Sequence, residues 1–204
     1  MISKRVLVGL GSAFALAAGT AGAQPFQPSR AKVEIAPFAG FQFGGGFLAA
    51  SGREVSLDAG LDYGGTIDFR VADTWCVEGL YSRHSTELGG DGSPFGVTVE
   101  RMMGGIMEEQ GDYRSRFFGV ALFGATRLTP ELPGFSSKTE FTIGIGLGVK
   151  QLFSEHLGLR AEARGFYVLT ETGGGLFCSG GCLFTFSGSG LWQGDLSGGL
   201  IFAF

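Results

Sequence analysis

Between residues 141 and 149 the chain reads FTIGIGLGV, and taking alternate positions sorts it into two faces. Phe141, Ile143, Ile145, Leu147 and Val149 share one face; Thr142, Gly144, Gly146 and Gly148, then Lys150, share the other. Successive side chains of a β-strand point to opposite sides, so this is strand periodicity with one greasy and one small face. A soluble sandwich would bury the apolar face and show polar residues to water. A glycine-lined opposite face suits a narrow barrel interior instead, where bulky neighbours need room.

The pattern recurs along the chain. Trp192, Gly194, Leu196, Gly198, Leu200, Phe202 and Phe204 oppose Gln193, Asp195, Ser197, Gly199, Ile201 and Ala203. In LGLRAEARGFYVL (157–169), Arg160, Glu162 and Arg164 oppose Leu159, Ala161, Ala163, Gly165, Tyr167 and Leu169. Leu61, Tyr63, Ile67 and Phe69 stand against Asp62, Thr66, Asp68 and Arg70, and Val33, Ile35, Ala39, Phe41 and Phe43 against Lys32, Glu34 and Gln42. Charge at every second residue, opposite grease, over roughly ten residues is the mark of membrane strands. Strands over 74–88, 97–108 and 116–128 bring the total to about eight. In the 97–108 segment (VTVERMMGGIME) the alternation is too weak to fix which way Arg101 points. The predicted fold is all-β: a single-domain, up-and-down antiparallel transmembrane β-barrel of about eight strands.

The connections alternate in length. Those at 71–73, 109–113 and 154–156 are short, whereas 44–53, 88–95, 129–139 and 172–191 are long. Short periplasmic turns and long extracellular loops have this asymmetry, and an even strand number then puts both termini in the periplasm.

Composition agrees with a β protein of unusual interior. The chain has 38 glycines in 204 residues, against roughly 14 at an average usage of ~7%. Hydrophobic residues make up 44% and charged ones 17%, which excludes a disordered or collagen-like chain. A net charge of −4 argues against a nucleic-acid partner. Lys4 and Arg5, an apolar run over 6–18, and Ala21-Gly22-Ala23 read as a secretory signal cut before Gln24. The run is short for a membrane-spanning helix. The expected organisation is therefore a cleaved signal peptide (1–23), a lead-in (24–30) and the barrel (31–204), exported to an oxidising compartment.

Three groups of residues are candidates for chemistry. Alternation turns Glu34, Asp62, Asp68, Arg70, Glu78, Lys150, Arg160, Glu162, Arg164 and Asp195 inward. Such a set either pairs across strands and fills the interior or lines a narrow or gated pore, since an eight-stranded barrel is just wide enough for side chains to fill. Cys178 and Cys182 flank Ser-Gly-Gly in the longest loop. Outside the cytoplasm that spacing predicts a disulfide, the alternative being an incomplete metal clamp. Cys76 is left over and faces inward near the periplasmic end. No phosphate loop, HExxH or dinucleotide fingerprint occurs, so neither cofactor nor metal is expected.

With these features together, residues 31–204 resemble the small outer-membrane β-barrel superfamily, of the outer membrane protein A transmembrane type. The residues that carry the resemblance are the terminal LSGGLIFAF, the aromatic-ended strands, FGVALFGATRL (118–128) and LGLRAEARGFYVL. It implies location in the outer membrane, contact with outer-membrane lipid and a last strand read by the barrel-assembly machinery through Leu200, Phe202 and Phe204. It also implies a structural or surface-interaction role without enzymatic activity, with long loops available to an extracellular ligand. The two-domain members carry a peptidoglycan-binding domain after the barrel; none is expected here. Some small outer-membrane enzymes modify lipid A with a His, a Ser and an acid near the rim. His84 in SRHSTEL would be the residue for that, but neighbours on a strand diverge, so His84 and Ser85 part. The rival readings are a small pore or transport channel, that enzyme, and a soluble periplasmic sandwich.

Overall fold

The computed structural model describes residues 31–48, 54–89, 95–170, 175–178, 182–185 and 190–204. The strands are β1 (Val33–Gly44), β2 (Gly46–Leu48), β3 (Glu54–Leu57), β4 (Gly60–Arg70), β5 (Trp75–Gly89) and β6 (Phe95–Gly111). They continue as β7 (Ser115–Pro130), β8 (Lys138–Leu152), β9 (Leu157–Leu169), β10 (Gly175–Cys178), β11 (Cys182–Thr185) and β12 (Gly190–Ala203). Eight of these form a closed antiparallel ring in the order β1, β4, β5, β6, β7, β8, β9, β12. Each long strand pairs with the next long strand in the chain, which is the up-and-down arrangement.

The ring closes where β12 returns to β1, in register from Glu34 opposite Ala203 to Gly44 opposite Gln193. At the seam Phe204 N–H donates to Val33 C=O at 2.9 Å and Lys32 N–H donates to Phe204 C=O at 2.9 Å. Closure leaves the eight-stranded ring without an edge, the condition for crossing lipid with strands.

The barrel is inverted relative to a soluble protein. Its outer face is apolar and exposed, with Leu61, Ile145, Leu147 and Trp192 among the most accessible side chains. The inner face is charged and buried. Glycine makes the packing on β8 possible: Gly144 lies under the Phe166 ring, Gly146 under Val120 and Arg164, and Gly148 under the Phe118 ring. At the other end of the chain, Ile201 and Ala203 turn inward while Phe202 and Phe204 face out.

Several boundaries differ from those the sequence suggests. The 109–113 segment is not all turn, because β6 runs on to Gly111; the turn is made by Asp112, whose Oδ1 accepts from the N–H groups of Arg114 and Ser115. The 44–53 connection carries β2, which pairs with β3, and β3 joins β5 through Ser56 opposite Gly89. Within 172–191, β10 and β11 form a separate hairpin. Lys32 lies beyond the end of the inward face and is exposed. The signal peptide and lead-in fall outside the described residues.

Candidate functional site: the charged barrel interior

Every second residue of each long strand points into the lumen, so the interior is built from side chains of all eight walls. Nearest the termini stands Lys150 of β8, with Nζ 2.8 Å from Glu34 Oε2, 2.7 Å from Asp68 Oδ2 and 2.6 Å from Glu109 Oε1. Those acids belong to β1, β4 and β6. Arg116 of β7 donates to Glu34 at 2.7 Å and to Glu109 at 2.8 Å. Arg70 donates to the same Glu109 at 2.6 Å.

One layer up, Arg160 of β9 reaches Asp68 at 3.0 Å, Glu78 of β5 and Glu162, and also donates to Thr66 Oγ1 at 3.0 Å. Arg164 shares Glu78 and Glu162, each at 2.9 Å. The cations stack on aromatic rings: Arg160 lies 4.4 Å over Phe118 and Arg164 5.6 Å over Phe38. These are desolvated, charge-assisted contacts, the kind that hold a fixed geometry.

In the ring, β8 lies opposite β4, β7 opposite β1, and β9 opposite β5. The Lys150–Asp68, Arg116–Glu34 and Arg160–Glu78 pairs therefore each span the lumen from wall to wall. Between the charges sits an apolar layer that includes Phe38, Leu80, Met103, Met107, Phe118, Val120, Leu122 and Phe166.

A fourth crosspiece lies farther out. Arg101 of β6, fully buried, extends over the Phe166 ring (4.5 Å) toward β1 and β12. There it donates to Gln42 Oε1 at 2.8 Å and to Gln193 Oε1. Asp62 and Asp195 share this level, each 2% exposed. Above it Leu57, Val97, Val99, Leu128, Val168 and Leu191 make an apolar layer, with Phe95 and Phe135 packed against it.

His84 is not at the rim. It is buried, because β5 continues to Gly89 and the β4 end at Gly60 closes over its ring. Its Nδ1 lies 2.9 Å from Leu61 O, and the Thr86 hydroxyl donates to Asp58 O at 2.6 Å. Ser85 points to the opposite face; Ser82 shares the inward face with His84, but its hydroxyl makes no hydrogen bond to the ring. Cys76 is a buried free thiol in the apolar layer. Backbone register sets Cys178 opposite Cys182 across the β10–β11 hairpin; the side chains of that hairpin lie outside the described residues.

Alternation missed Arg101, Glu109 and Arg116. It placed six acids but only four bases inside, and that surplus of acid was the available sign that buried bases remained to be found.

No protein-family model and no curated protein matches the chain. Among solved structures it is similar to the crystal structure of Neisserial surface protein A, with 14% identity and a TM-score of 0.60 over 87% of this chain and 100% of that one. It is also similar to the outer membrane protein OprG from Pseudomonas aeruginosa, with 14% identity and a TM-score of 0.53 over 86% of this chain and 98% of that one. Identity this low speaks for the fold, and the chain has the fold of the small eight-stranded outer-membrane β-barrels.

Proposed function

We propose that this is an exported outer-membrane protein whose lumen is closed by its own side chains and which acts as a structural and surface-interaction barrel, without catalysis. The observation that carries the reading is Lys150, held within 2.8 Å of carboxylates from three other strands. With Arg116, Arg160 and Arg101 bridging other pairs of walls, ions meet fixed side chains at successive levels. The outward apolar face takes lipid as its solvent, and Leu200, Phe202 and Phe204 are offered to the assembly machinery. Both mature termini then lie in the periplasm, and any extracellular ligand would be met by the loops. His84, turned inward against a backbone carbonyl, supports the non-enzymatic reading.

The mature chain refolded into a planar bilayer is expected to give no steady single-channel current; sustained unitary conductance would instead make it a pore.

The outer hairpin is proposed to be locked by a Cys178–Cys182 disulfide, its tight ring allowed by Gly180-Gly181. Alkylation of the denatured, unreduced protein followed by mass measurement should then modify a single thiol, that of Cys76. Modification of all three cysteines would remove the disulfide.

A further inference from the structure

The charges named above in the lumen divide into an inner and an outer group. Inside, Glu34, Asp68, Glu78, Glu109 and Glu162 are matched in number by Arg70, Arg116, Lys150, Arg160 and Arg164, and every one takes part in an ion pair. Outside them, two carboxylates, Asp62 and Asp195, share the level of one guanidinium, Arg101. That guanidinium turns both terminal nitrogens to the amide oxygens of Gln42 and Gln193 rather than to either acid.

The two aspartates flank β1, Asp62 opposite Gly40 and Asp195 opposite Gln42. Gly40 has no side chain to separate them, and a Cβ placed there would stand 3.0 Å from Asp195 Oδ2. Asp62 Oδ1 and both carboxylate oxygens of Asp195 are buried without a hydrogen-bond partner. Ser82, inward-facing from β5 and in register with Arg101, is 2% exposed and its hydroxyl is likewise unpartnered. Unpartnered buried acceptors and an unneutralised buried carboxylate are both strongly unfavourable.

We infer that the Asp62–Asp195 pair binds one compensating positive charge from solution, a proton or a sodium-sized ion. The oxygen donors are hard, and a single positive charge balances the level. Among the described residues no cluster of three or more His, Cys, Asp or Glu is arranged to hold a metal ion, which argues against a multivalent centre. The other titratable groups facing this region are His84 from β5 and Arg164 from β9. Arg164 is engaged by Glu78 and Glu162. The two ring nitrogens of His84 lie 2.9 Å and 3.4 Å from the carbonyl oxygens of Leu61 and Asp58, so both face backbone and neither reaches the aspartates.

The test compares the mature wild-type barrel with Asp195→Asn, refolded in vesicles and unfolded by urea. One series varies sodium against N-methyl-glucamine at constant ionic strength and pH; the other varies pH at constant sodium. A ligand bound only by the folded state shifts the folding constant up to about tenfold per tenfold change in its activity. Wild type should show that dependence on one axis, stability rising with sodium or falling as pH rises. Asp195→Asn keeps the shape, removes the surplus charge, and should lose the dependence while folding at least as well at low sodium and high pH. A sodium slope identifies the ion and a pH slope without a sodium slope identifies the proton. Parallel curves for wild type and variant on both axes overturn the inference. If Asp195→Asn does not fold, Asp62→Asn is read by the same criterion.

Discussion

Replacing Lys150 by Met lowers the unfolding free energy of the barrel by about 3–5 kcal/mol, the cost of stranding buried charge. Three carboxylates face the ammonium at 2.6–2.8 Å, and its side chain is fully enclosed. Without it, Glu34 and Glu109 keep Arg116, and Asp68 keeps Arg160, but one negative charge at the centre has no counterpart. Lys138 provides the contrast. It pairs with Glu140 at 2.7 Å, but its side chain is 27% exposed, and partly solvated pairs of this kind contribute about 0–1 kcal/mol. Urea midpoints of Lys150→Met and Lys138→Met in the same vesicles should therefore separate widely. Equal, small losses would mean that water reaches Lys150 and screens it.

A strand of this chain shows its phase in the sequence only as cleanly as it separates its two faces. In β8, β9 and β12 the lipid side is apolar and the lumen side is either charged or very small, so period two appears at once. In β6 both faces mix the two kinds. Val97, Val99, Met103 and Met107 face inward beside Arg101 and Glu109, while Glu100 and Glu108 face outward with Met102 and Ile106. A polar outward residue near a strand end and an apolar inward one at the outer end of the lumen each reverse the usual signal, and together they hide the phase. Arg116 is hidden for a related reason: it begins the predicted strand, but Phe117 and Phe118 after it are both apolar, so alternation does not show which face the arginine takes. SRHSTEL reads as a rim segment because nothing local in it reveals that β3 extends the wall around His84. That is a long-range pairing, set by where Leu57 meets Leu88.

Substituting Gly148 with Val should cost about 1–3 kcal/mol, the usual range for forcing extra carbon into a filled interior. A Cβ at Gly148 would stand 2.5 Å from the Phe118 ring and 2.5 Å from the backbone oxygen of Ala161. The ring cannot simply turn aside, because Arg160 lies 4.4 Å over it and Lys150 5.6 Å from its centre; moving Phe118 disturbs the charges as well. Gly119, the neighbour of Phe118 on the opposite face of β7, has nothing within 4 Å of its Cβ position. Gly119→Val meets only lipid and should stay within about 0.5 kcal/mol of wild type. The two substitutions add the same atoms to adjoining strands, so a difference in urea midpoint between them measures the side of the wall and not valine's preference for strands. Equal costs would mean that the glycine-lined trench of β8 has space to spare and that the interior is looser than its ion pairs require.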